Sequence, residues 1–283
     1  MLLTFVLLSC SISATSACPC KGCQYKPSSA EATPFATNAI DSSFQVTSYD
    51  RRFSATSVLS SAQQQRKHLY WHWQANDDPA DWTPPCKVII HATRASYTAA
   101  VGSGSEATFG SSWLDNRQGQ CHGRRIDLLA DRLGNLTAFP HELTHIAVSQ
   151  MLGNRTPPRW LDEGIALLAD STEKQKRHAD DLRNARTGRL TMRLAELMRL
   201  EGYPPAQRIP AFYAQSASLT AFLAGRDKPH QLLRFAELAL DKGYDQALRD
   251  VYKLDGVSEL EQAWLAAAAE TINYSLARSE ALP

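Results

Sequence analysis

Apolar positions recur along this chain in two ways, and the change falls near its middle. In the first half they come in short runs. "FQVTSY" (Phe44 to Tyr49) alternates as a half-buried strand does, and "KVIIHA" (Lys87 to Ala92) is a short buried strand set off by the break "DWTPPC". "ATFGSSWL" (Ala107 to Leu114) is a weaker strand and "RRIDLLA" (Arg124 to Ala130) another, while Phe53 to Trp73, rich in Ser, Ala, Gln and Leu, predicts a helix. From Leu136 onward the period is helical, through "AFPHELTHIAVSQML", "RWLDEGIALLAD", "MRLAELMRL", "FYAQSASLTAFLA", "QLLRFAELAL" and "VSELEQAWLAAAAETI". Gly and Pro punctuate these segments, as in "LGNRTPP" and "EGYPPAQ". The charged stretch Ser171 to Arg189 reads as a solvated helix or loop. The pattern predicts an α+β fold in which a small mixed sheet with helices is followed by a mainly helical half. One domain would span residues 41–275, with its sheet-containing part at 41–130 and its helical part at 131–275, after a small, polar, Pro-containing linker at 24–40.

Composition narrows the function classes. The 283 residues are 43% hydrophobic, enough for a substantial core. Charged residues are 21% and nearly balanced, so the net charge of +1 leaves no electrostatic footprint for nucleic acid. No apolar stretch approaches the ~20 residues of a spanning helix. Leu2 to Leu8 is a short apolar run followed by small polar residues, as in a secretory signal. "LLSC" places Cys10 as a candidate lipid acceptor and membrane tether, with cleavage after Ala17 as the competing reading. Residues 1–23 are thus expected to be a signal or lipoprotein-like segment, and the protein secreted or held in the cell envelope. Cys86 and Cys121 could pair in an oxidising compartment. Cys18, Cys20 and Cys23 fall in the segment expected to be processed or to serve as linker.

The chemistry concentrates in "PHELTH" (Pro140 to His145). Residues four apart share a helical face, so His141 and His145 can turn two imidazoles toward one ion. Glu142, rotated by about 100°, suits a general base acting on a metal-activated water. Leu143, Ile146, Ala147 and Met151 would anchor the helix, and with Thr137 as N-cap Pro140 falls in its first turn. A catalytic zinc needs a third protein ligand. Val148 and Met151 stand where a metzincin would carry Gly and His. A following helix, started by Pro157 and Pro158, supplies Asp162 and Glu163, the latter 18 positions after His145; spacing alone does not choose between them. Two histidines and one carboxylate, with the fourth position open, form a catalytic set, whereas a structural zinc is closed by four protein ligands.

Other candidates carry less. His68 and His72 are four apart but lack an interposed glutamate and a third ligand, so aromatic packing is the simpler account. His91 follows a buried strand and reads as structural; His122, His178 and His230 read as surface residues. "GSGS" (Gly102 to Ser105) is a turn without the strand-to-helix setting of a phosphate cradle, and no G-x-S-x-G elbow is present.

"HELTH", followed by "RWLDEGIA" and later by "FYAQSASLTAFL", resembles the peptidase MA-like domains of the gluzincin class of zinc metallopeptidases, over about Arg125 to Ala268. The resemblance implies a zincin-like fold, one Zn2+ per chain and a peptide or protein substrate. It assigns His141, His145 and Glu163, not Asp162, as ligands, and Tyr213 as a phenol near the zinc that donates to a developing oxyanion. It also implies an edge strand around Phe109 to Trp113 that pairs with extended substrate. A different class of function, a non-catalytic cell-envelope binding protein retaining the peptidase fold, is the alternative reading.

Overall fold

Alternation builds the sheet, and its register carries the site. The computed structural model describes residues 35–267. In it β1 (Thr37–Ile40), β2 (Phe44–Ser48), β3 (Cys86–His91), β4 (Gly110–Arg117) and β5 (Gln120–Leu129) form one mixed sheet in the order β1-β2-β3-β5-β4. β2 buries Phe44, Val46 and Ser48 and leaves Gln45 and Thr47 half-buried, the signature of its period of two. The three central strands are parallel, with Phe44 opposite Cys86 and Cys86 opposite Arg124. Both outer strands run antiparallel to their neighbours.

Helix α1 (Ala55–Gln74) connects β2 to β3 and packs on β1, β2 and the helix that carries "PHELTH", while α2 (Arg94–Val101) packs on β3 and β5. The second half is helical: α3 (Phe139–Met151), α4 (Arg159–Leu168), α5 (Thr172–Thr187), α6 (Leu194–Met198), a 3-10 turn at Ala206–Arg208, α7 (Ile209–Arg226), α8 (His230–Lys242), α9 (Tyr244–Tyr252) and a last helical run at 257–267. The α+β reading, sheet first and helices after, agrees with this order.

One apolar core joins the halves. Val46, Val88, Ile90, Ile126 and Leu128 of the sheet meet Leu143, Ile146 and Ala147 of α3 and Trp160, Leu161 and Ile165 of α4, all essentially without solvent contact. Each large aliphatic or aromatic side chain buried this way contributes about 1.5–3 kcal/mol. α4 and α7 pack tightly at Gly164, where an added Cβ would clash with the Thr220 side chain and come within 2.7 Å of the Ser216 carbonyl oxygen. Trp160 is held by its indole N–H, which donates to Tyr244 Oη, and that hydroxyl donates onward to the carbonyl of Met198.

The structure corrects several expectations. The linker assigned to 24–40 ends in β1, which pairs with β2 over Thr37–Ile40. Helices α2 and α9 had no separate expectation; the charged stretch, expected as a solvated helix or loop, is a regular helix, α5, capped by Ser171. Thr137 does not cap α3: the residue before the helix is Ala138, without a side-chain cap, and the Thr137 hydroxyl donates to Asp131. Pro140 does fall in the first turn of α3, where its missing N–H costs little. Cys86 and Cys121 are free thiols, and burial pushes the Cys86 thiol up. No helix among the described residues is long and apolar enough to cross a membrane. The signal-like segment 1–23, Cys10, Cys18, Cys20 and Cys23 and most of the linker lie outside the described residues.

Candidate metal centre

α3 has one apolar and one polar face, and the polar face is the floor of the site. Leu143, Ile146, Ala147 and Met151 are buried as anticipated, which turns His141, Glu142 and His145 toward an open cleft of about 750 Å³. The loop after α3 returns the chain through Pro158, the residue before α4, so that α4 lies against α3. Pro has no N–H to leave unpaired there and its fixed φ leads into the first turn.

This return settles which acid of "WLDEG" points inward. Oε2 of Glu163 lies 3.7 Å from His141 Nε2 and 3.9 Å from His145 Nε2. One ligand atom from each of the three residues falls within 4.8 Å of the others. Zinc bonds of about 2.0–2.2 Å hold tetrahedral ligands roughly 3.4 Å apart, so the three side chains fit an ion after a small contraction. Two imidazoles and one carboxylate are also the donor set that borderline metals such as zinc accept. Asp162 faces the opposite side of its histidine: its Oδ1 is 3.0 Å from His145 Nδ1, although the ring N–H is not aimed well enough to form a hydrogen bond. Asp170 plays the same part for His141, with Oδ2 3.6 Å from Nδ1. Each candidate ligand imidazole therefore has a carboxylate behind it, where the outer partners of metal-bound histidines stand, and its charge raises the ring's basicity.

Charge is arranged for a cation. Burial alone would lower the His141 pKa, but the carboxylates of Asp170, Glu163 and Glu142 outweigh it and raise it to about 10. For His145 burial again opposes, and Asp162 ahead of Glu163 raises the pKa. Burial would raise Glu163, yet His141, His145 and the Tyr203 hydroxyl hold it at about 2. The carboxylates around these two imidazoles thus favour positive charge at that point.

The rest of the cleft comes from four elements. β4 forms one wall with Gly110, Ser111, Ser112 and Leu114. Gly110 is there for space: a Cβ would meet Ala138 Cβ at 2.6 Å, Glu142 Cγ at 2.8 Å and Glu142 Oε1 at 2.9 Å. β4 is also the last strand of the described sheet, so the expected edge at Phe109 to Trp113 coincides with a sheet edge beside α3. Tyr213, from α7, lines the cleft as expected, and burial followed by the charge of Glu163 raises its pKa, so its hydroxyl keeps its proton.

Three features escaped the sequence reading. His178, taken for a surface residue, lines the cleft from α5. Asp170 was seen only as the end of a helical segment. Tyr203, in the loop between α6 and the 3-10 turn, donates a 2.6 Å hydrogen bond to Glu163 Oε1. Of the remaining histidines, His91 is buried against Asp127 at 2.7 Å, His68 and His72 stack with ring centroids 6.2 Å apart, and His122 is exposed, all as expected, while His230 is half-buried. No protein-family model and no curated protein sequence matches this chain.

Proposed function

We propose that the chain is a zinc-dependent metallopeptidase with a zincin-like catalytic fold of the gluzincin kind, exported by its N-terminal segment, and that it hydrolyses peptide bonds. The observation that carries the reading is the convergence of His141, His145 and Glu163 on one point, with Glu142 beside them in the same open cleft. Zinc, when bound, supplies Lewis acidity toward a carbonyl oxygen and lowers the pKa of a water to about 7. Glu142 takes the proton of the attacking water and passes it to the departing amine. Tyr213 donates a hydrogen bond to the oxygen that gains charge, a contribution of roughly a few kcal/mol when such a donor is preorganised. The edge of β4 offers main-chain groups to a substrate held in extended form, which suits a peptide.

Two measurements on residues 24–283 test this. Elemental analysis should find about one zinc per chain, lost in His145→Ala. Glu142→Gln should keep that zinc while hydrolysis of an unstructured polypeptide drops by about 10²–10⁴-fold. Zinc absent after reconstitution, or activity surviving Glu142→Gln, would overturn the proposal.

A further inference from the structure

The two oxygens of Glu163 have different neighbours, and the difference goes beyond naming the residue a ligand. Oε2 is the oxygen near both histidine Nε2 atoms, at 3.7 and 3.9 Å. Oε1 faces away from them and accepts the hydroxyl of Tyr203 at 2.6 Å, with the guanidinium of Arg159 at 3.8 Å. We propose that Tyr203 is a positioning residue: by taking Oε1 of Glu163 it makes that carboxylate a one-oxygen ligand and keeps the fourth metal position open. The inference rests on the zinc reading of the site.

The alternative arrangement shows why the contact matters. A two-oxygen grip by Glu163 would bring Oε1 to the ion as well, at about 2.0–2.2 Å, and would fill the space a water or substrate oxygen needs. Reaching it requires Glu163 to turn Oε1 away from Tyr203, which breaks a short hydrogen bond to a charged acceptor. The phenol is itself held in place. The Arg159 guanidinium lies over the Tyr203 ring at 4.9 Å, and the ring meets Phe212 edge-on with centroids 5.8 Å apart. Tyr213 lies alongside at 6.0 Å. Tyr203 thus reaches the ligand from the cleft wall, while half of its surface remains exposed.

Tyr203→Phe removes the hydroxyl and keeps the ring packing. Zinc affinity, read by competition with a chromophoric chelator, should fall about 10–100-fold, as for other partners that orient metal ligands. The Co2+-substituted variant should show weaker visible absorption than the wild type, reporting a shift from four toward five ligands. The metal-free protein should lose only the few degrees of melting temperature expected for one charge-assisted hydrogen bond, whereas a merely structural role would leave the metal affinity and the Co2+ spectrum unchanged. If the wild type binds one metal ion and Tyr203→Phe binds it equally tightly with the same Co2+ spectrum, the positioning role is overturned while the zinc reading stands. A variant that lowers only the metal-free melting temperature has the same meaning. A wild type that binds neither ion overturns both.

Discussion

Asp170 sits behind His141 and not beside the point where the three ligand atoms converge: its Oδ2 is 3.6 Å from Nδ1, and its Oδ1 pairs with Lys174 at 3.0 Å. Any influence on metal binding would run through the imidazole, by favouring the orientation and tautomer in which Nε2 faces the ion. Asp170→Asn keeps the size and loses the charge, and zinc affinity should fall about 10–100-fold in a chelator competition. Asp162→Asn should act likewise on His145. Affinities within twofold of wild type for both variants would show that neither carboxylate orients its histidine. Asp127 is a second buried acid with a different task. His91 Nε2 meets its Oδ1 at 2.7 Å and Arg125 Nε meets Oδ2 at 2.6 Å, tying β5 to β3. Burial works to raise its pKa, but those two partners prevail and the value lies below the ordinary one of 3.8. A carboxylate depressed in the folded state stabilises the fold above its unfolded pKa and loses that contribution as pH falls through the folded value. Asp127→Asn should therefore cost roughly 1.5–3 kcal/mol at pH 7 in a denaturant titration, and the gap from wild type should narrow as pH falls below about 4. A gap that persists unchanged into acid would mean that the aspartate's charge is not what stabilises the wild type.

Among the elements, β4 and α3 meet at Gly110, where Glu142 lies so close to the strand that a Cβ would meet it. Gly110→Ala must push either the helix or the glutamate, at a cost of about 1–3 kcal/mol for overpacking. Displacing a general base by about 1 Å can cost on the order of 100-fold in rate. The variant should bind zinc normally, melt earlier and hydrolyse peptide at least ~10-fold more slowly; unchanged kcat would show that the strand does not set the position of Glu142. The elements also show what the sequence could and could not reveal. α3 and α4 were legible because each carries its own apolar stripe and a Pro at its start, and both candidate ligand histidines lie on the face of α3 opposite its stripe. β1 was not, because four residues, "TNAI", are too few for a period, and only pairing of Thr37–Ile40 with β2 makes them a strand. The same holds for α9, nine residues just after Gly243 that are hard to separate from the helix before them. Tyr203 and Asp170 could not be matched to Glu163 and His141 from spacing at all, since their partners lie on other elements and only tertiary closure brings them together. Asp162 and Glu163 are adjacent in sequence, and spacing does not choose between them; the resemblance pointed to Glu163, and the α3–α4 packing puts Asp162 behind His145 and Glu163 in front of both histidines.

At the scale of the whole molecule, the question is whether the metal would hold the fold or the fold the metal. Leu143, Ile146 and Ala147 fix α3 in the core, and Trp160, Leu161 and Ile165 fix α4, all fully buried without help from the ligand side chains. The candidate ligands His141, His145 and Glu163 stand at the rim of that core, on helices already positioned by apolar packing. Three protein ligands with an open position mark a site that the fold preorganises, unlike a four-ligand site whose removal unfolds a small domain. A bound ion then adds only its linkage: at free zinc 100 times the dissociation constant, about 2.7 kcal/mol. For a domain of this size that corresponds to a melting-temperature rise of about 5–10 °C. Chelation should lower the melting temperature by that amount, leave the far-ultraviolet circular dichroism at 25 °C unchanged, abolish hydrolysis, and be reversed on zinc addition. Loss of the helical signal on chelation at 25 °C would make the metal part of the fold, and the core residues just named would then not suffice to hold α3 and α4.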